Sequence, residues 1–219
     1  MNRVINAAKL DLYAAKSGLR MGLIAFLIPI IIGAMAQNPS ITMLFVMVFA
    51  TYLAGSVFSV HEKNHSDKLY GILPLKKTEM VIGRYLYALI VEAASIVIAV
   101  ILWFIIMNFT HLKFDAFTFW ISFALALIYY GFAVGVSFPV YLKFSFAKAY
   151  VFTMMPIYLI LIGIVLLLRS KNITDNLGLF IKFLTSNLYL VPVIGIICSL
   201  VLMAVSAMIA NLIYTRREI

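Results

Sequence analysis

Residues 81–107 read VIGRYLYALIVEAASIVIAVILWFIIM, a run interrupted by only two charges, Arg84 near its start and Glu92 within it. A membrane-spanning helix needs about 20 predominantly apolar residues, and this segment exceeds that length. On either side of it, residues 21–36, 41–60, 117–142, 149–168 and 188–214 also qualify. Together they predict an all-α membrane protein of six transmembrane helices, forming a single domain over 1–219. The spans at 81–107, 117–142 and 188–214 are long enough to tilt or to project beyond the hydrocarbon. Composition points the same way, with 65% hydrophobic and 11% charged residues and a mean hydropathy of +1.10. Soluble domains carry about 45–50% apolar and about 25% charged residues. A water-soluble fold could not cover the excess.

The net charge of +9 does not point to nucleic acid, because the cations cluster at the ends of apolar runs. There they set orientation and meet the anionic headgroups of membrane lipid. Arg3, Lys9, Lys16, Arg20, Lys63, Lys68, Lys76, Lys77, Arg84, Lys143, Lys148, Arg216 and Arg217 fall on one side, against Lys113, Arg169, Lys171 and Lys182 on the other. That asymmetry predicts cytoplasmic termini and a cytoplasmic loop at 61–80. Residues 1–20 precede the first span. Val4, Ile5, Ala8, Leu12, Ala15 and Leu19 recur at helical spacing, and the cations largely avoid that face. This predicts an interfacial helix. Ala34-Met35-Ala36 resembles a signal-peptidase site, but the leading segment is too long and helix-patterned, so it is expected to be retained. Between the last two spans, residues 169–187 place Leu177, Phe180, Ile181 and Leu184 on one helical face. About eleven such residues cannot cross a bilayer, so an outer interfacial or re-entrant helix is expected.

Several chemistries are excluded. No Gly-x-x-x-x-Gly-Lys-Ser/Thr occurs, so the chain has no P-loop for ATP. His61, His65 and His111 form no metal or triad pattern, and neither a metal, a bound cofactor nor a catalytic residue is expected. The single cysteine, Cys198, lies in an apolar run and reads as a small buried hydrophobe.

The polar stretch beside the opening segment, residues 58–85, reads FSVHEKNHSDKLYGILPLKKTEMVIGRY. An acidic–basic patch is followed by Leu73-Pro74-Leu75-Lys76-Lys77, then by Glu79-Met80-Val81 leading into Arg84-Tyr85. Pro74 ends any helix before it. Thr78 is placed as the N-cap of the next helix, with Glu79 favourable in its first turn. This stretch resembles the first cytoplasmic loop of ABC type-2 transporter permeases. The span number, inner termini, N-terminal interfacial helix and outer helical element extend the resemblance to the full chain.

The resemblance implies a permease subunit of a bacterial ABC exporter in the cell membrane, paired with a second permease, identical or similar. Separate P-loop ATPase subunits would bind the ATP and Mg. It implies that a short coupling helix formed by His61, Glu62, Lys63, Asn64, His65, Ser66, Asp67, Lys68, Leu69, Tyr70 and Ile72, ending at Pro74, docks on the ATPase. The apolar, Met- and aromatic-bearing spans favour a hydrophobic or amphipathic cargo. The nearest resemblance is to permeases that export phenol-soluble modulins or related antimicrobial peptides. The alternatives are a membrane-embedded immunity or accessory protein, and a proton-coupled secondary transporter working through Glu92.

Glu92 is the one acidic residue well inside a span, where a charge costs a few kcal/mol and faces protein or water. Ala88, Ser95 and Ala99 share its helical stripe, suited to close packing or a wet cavity. It reads either as a structural hydrogen-bond acceptor or as a group touching substrate. Thr51, Gly55 and Ser59 make a second small-residue stripe. Gly131-Phe-Ala-Val-Gly135 permits close helix contact, inside the subunit or between permeases. Pro139 and Pro156 are expected to kink their spans.

Overall fold

The computed structural model describes residues 2–63, 76–144, 146, 149 and 184–215, with side chains excepted at 2 and 17–25. Every element delimited among them is helical: α1 Asn2–Ala25, α2 Leu27–Ala36, α3 Pro39–Lys63, α4 Lys77–Phe109, α5 Ala116–Lys143 and α6 Leu190–Thr215. In lipid the backbone has no water to bond, so long apolar runs must satisfy their N–H and C=O groups internally. The helices α3, α4, α5 and α6, of 25, 33, 28 and 26 residues, are long and apolar enough to cross a membrane. At about 1.5 Å per residue, α4 is about 50 Å long and must project or tilt.

The first span departs from expectation. The helix that begins at residue 2 runs on to Ala25, and the break falls at Phe26 rather than near residue 20. Its second piece, α2, has 10 residues, about 15 Å, too short to cross alone. The expected span at 149–168 and the outer segment at 169–187 lie outside the described residues, apart from Ala149 and residues 184–187. Pro156, Leu177, Phe180 and Ile181 fall outside them as well. Leu184 is buried and packs with Ala124 and Val191.

The turn between α2 and α3 follows from its residues. Gln37 takes the left-handed conformation (φ 49°) and donates its N–H to the Ala34 carbonyl. The Asn38 side chain accepts from the Ser40 N–H at 2.9 Å, with Pro39 as first residue of α3. That is an N-cap followed by the residue that needs no donor. The two helices then lie so close that a Cβ on Gly33 would sit 1.7 Å from Thr42 Oγ1.

The start of α4 corrects the expected cap. The helix begins at Lys77, so Lys76 rather than Thr78 is its N-cap. A lysine ammonium accepts nothing, so the end is held by Glu79, whose Oε2 accepts the Lys76 N–H at 2.9 Å. At the other end of α4, Trp103 stands edge-on to Phe104, Phe114 and Phe119, closing the turn into α5. Pro139 lies within α5, which continues to Lys143.

Close approach decides how α5 and α6 pack. A Cβ on Gly131 would meet Ser199 Cα at 2.8 Å, and one on Gly195 would meet Ala124 Cα at 2.7 Å. Gly135 faces Leu202 and Ser206. The contacts advance together along both chains, so α5 and α6 run parallel. The Gly131–Gly135 motif is thus used inside the subunit.

Candidate functional site

The polar groups of the helix core divide into two sets, one at the ends of helices that flank residues 64–75, the other deeper along α4. The first set begins on α1. Its buried face is Ala7, Ala8, Asp11 and Ala15, whereas Ile5 and Leu12, expected on that face, are 38% and 45% exposed. The reason is steric. A Cβ on Gly83 would lie 2.6 Å from Ala7 Cβ and 3.2 Å from the Ala8 nitrogen, so only the alanine side of α1 fits against α4. Ile5 and Leu12 are left beside the exposed Lys9 and Lys16, the pairing of apolar and cationic groups that a headgroup region accommodates.

This rotation buries Asp11 at 2% exposure. Its Oδ1 stands 2.7 Å from Nε2 of His61 in the last turn of α3. A carboxylate only accepts, so the imidazole N–H donates. Glu62, the next residue, is exposed, and its Oε2 accepts the Phe146 N–H just beyond α5. Arg84, about two turns into α4, is buried with its guanidinium 4.7 Å from the Phe58 ring centre, a cation–π contact. Phe58 also packs edge-on to Phe138.

Of the expected coupling residues, the structure places His61, Glu62 and Lys63 on the final turn of α3, with Glu62 and Lys63 exposed. Asn64, His65, Ser66, Asp67, Lys68, Leu69, Tyr70, Ile72 and Pro74 lie outside the described residues. Asp11 was not among the expected residues. It is the only carboxylate before Glu62, on a segment otherwise carrying Arg3, Lys9, Lys16 and Arg20, and that isolation was the available signal.

The second set is a seam joining α4 to α5 and α6. Glu92 is 6% exposed and its Oε1 accepts the Ser199 hydroxyl at 2.6 Å. The Tyr130 hydroxyl donates to the Ala88 carbonyl at 2.7 Å. Ser206 donates to the Gly135 carbonyl at 2.7 Å, so its oxygen is free to accept the Tyr85 hydroxyl at 2.5 Å. Residues 85, 88 and 92 share one face of α4. Ser95 and Ala99 are buried as well. The stripe that suggested either packing or a wet cavity is packed at Glu92, which acts as a hydrogen-bond acceptor. The second stripe is packed too: Gly55 lies against Tyr141, and Thr51 donates to the Met47 carbonyl.

A cavity of about 130 Å³ does open along α4, bordered by Phe26, Leu53, Ser56, Tyr87 and Ser95 among others. It reaches the Glu92 stripe only at Ser95, and Glu92 itself does not line it. Its walls among the described residues are almost wholly apolar.

The chain matches a family model described as ABC-2 family transporter protein over residues 8–215. No curated protein matches it.

Proposed function

The chain belongs to the ABC-2 transporter family, and from that premise we propose that it is the transmembrane permease subunit of an ATP-driven exporter. A permease without a P-loop must receive force from ATPase subunits through a part of itself that reaches the cytoplasm. The observation that carries this reading is the way residues 64–75 are bracketed. Before them, His61 and Glu62 tie the last turn of α3 to Asp11 and to the Phe146 backbone. After them, Glu79 fixes the first turn of α4 at Lys76. A segment held at both roots passes on a push where a loose loop would absorb it. In this proposal residues 61–74 dock on the ATPase, which holds the ATP and Mg.

Six spans remain the proposed topology, within one domain over 1–219. The parallel course of α5 and α6 supports a return crossing between them, where the span at 149–168 is expected. An even number of crossings puts both termini on one side, and the positive charge puts that side in the cytoplasm of a bacterial cell. We propose pairing with a second permease and an amphipathic peptide as cargo. The apolar lining of the cavity along α4 favours such a cargo over a hydrophilic one.

Co-expression with a candidate P-loop ATPase subunit tests the proposal. The two are expected to co-purify, and Leu69→Ala with Tyr70→Ala is expected to abolish stimulation of ATP hydrolysis while the helices stay folded. If no complex forms, an accessory or immunity role takes its place.

A further inference from the structure

Asp11 and His61 join two elements that the sequence places 50 residues apart, and they do so at the root of segment 64–75. The apolar packing of α1 does not need this bond. Ala7 and Ala8 already hold α1 against Gly83 of α4, and Ala8 and Ala15 pack with Tyr87. The ionisable pair reaches further along α3 than the packing at Val57, to the last turn before residue 64. So α1 packs on both helices that bound the segment, on Gly83 and Tyr87 of α4 and on Val57 of α3, and the buried hydrogen bond adds a directed polar tie to the very end of α3. The side chains are 2% and 8% exposed, and a buried carboxylate is not separated from its partner without a large penalty.

We propose that Asp11 and His61 are positioning residues that latch α1 to the root of segment 64–75, making α1 part of the unit that moves when the ATPase binds nucleotide. The inference rests on the coupling role proposed above for that segment. Under it the N-terminal helix transmits force, and its exposed Ile5, Leu12, Lys9 and Lys16 carry that movement to the membrane surface.

The test uses the full chain with its co-purified ATPase in phospholipid vesicles, with Cys198→Ser as background. A thiol probe reports from α1 at Tyr13→Cys or from α4 at Ile82→Cys, positions that are 71% and 47% exposed. Maleimide labelling rates are compared with and without a non-hydrolysable ATP analogue and Mg. A severalfold change in labelling rate is expected at both positions. Asp11→Leu is expected to remove the response at residue 13 and keep it at residue 82. Asp11→Asn keeps an acceptor for the His61 N–H and retains most of the response. The paired Asp11→Leu, His61→Leu variant leaves no unpaired buried ion, so it folds even if a single variant does not, and its response at residue 13 is also lost. A response at residue 13 that survives both leucine variants overturns the latch, as does a response at residue 82 alone in the background protein. If neither position responds there, the coupling role of segment 64–75 falls, and the latch with it.

Discussion

The carboxylates of Asp11 and Glu92 are buried to almost the same degree, 2% and 6% exposed, but their surroundings set them to different tasks. Asp11 faces an imidazole across a boundary between α1 and α3, beside a segment proposed to move. Glu92 faces a serine hydroxyl on α6, in a seam where Gly131 and Gly195 bring backbones into contact. A partner that is itself ionisable makes a link that is costly to part. A neutral hydroxyl in a tight helix crossing makes a fastener that any acceptor could replace. Burial alone therefore does not identify the working carboxylate; the partner and the rigidity of the neighbours do.

The largest effect expected from this contrast is at His61. In His61→Leu the Asp11 carboxylate keeps its burial and loses its donor, the situation that costs about 3–5 kcal/mol when one member of a buried pair is removed. The reverse variant, Asp11→Leu, removes the buried charge itself together with one hydrogen bond to it, and costs about 1.5–3 kcal/mol. Thermal unfolding of the purified protein in detergent should therefore show His61→Leu as the less stable of the two. Equal midpoints would mean that Asp11 is not held as a buried ion. Next in size is Gly131→Ala. The new methyl would press on the Ser199 backbone, and overpacking of this kind costs about 1–3 kcal/mol. A normal unfolding midpoint for Gly131→Ala would show that α5 and α6 have room to separate.

Glu92→Gln probes the other half of the comparison. The glutamine carbonyl can still accept the Ser199 hydroxyl, so the change is expected to stay below about 0.5–1.5 kcal/mol, the net worth of one hydrogen bond. ATP-driven transport should persist. Loss of transport with the fold intact would move Glu92 from fastener to participant, and would favour the proton-coupled reading.

Much of this was legible in the sequence, for reasons that differ by region. Lipid imposes one rule on a long apolar run, so the helices at α3, α4, α5 and α6 follow hydropathy to within a few residues. Hydropathy could not place the break at Phe26, because residues on both sides of it are apolar. The face of α1 was misjudged for a steric reason. Leu12 outweighs Ala7 and Asp11 on any hydrophobicity scale, yet Gly83 admits only small side chains, and Leu12 is turned outward. Glu92 stood out because it interrupts an apolar run. Asp11 did not, because in a polar helix a single acid reads as a solvated charge until the fold brings His61 to it. Thr78 was placed as the cap of α4 because its hydroxyl suits that position, whereas the helix starts earlier and its cap is completed from Glu79 behind.

A third carboxylate, Asp115, supplies the smallest effect and a control for both buried ones. It is exposed at the N-cap of α5, where it accepts the Thr118 hydroxyl and the backbone N–H groups of Thr118 and Phe117. The Thr118 hydroxyl, then the Thr118 N–H and, behind an opposing desolvation, the Phe117 N–H hold its pKa below the ordinary 3.8. A carboxylate with a lowered folded-state pKa contributes stability that is complete above its unfolded value and is lost as pH falls through the folded one. Acidification below 3.8 should therefore loosen the first turn of α5, seen as faster hydrogen exchange at the Phe117 and Thr118 amides once intrinsic rates are taken into account. Asp115→Asn still caps the helix but has nothing to titrate, so its exchange at these amides should lose that acid-dependent step. If the step persists in Asp115→Asn, the end of α5 is being loosened by some other group and the cap is not its cause. If it disappears while His61→Leu remains strongly destabilising at neutral pH, the contrast between an exposed cap and a buried pair holds at both ends of the scale.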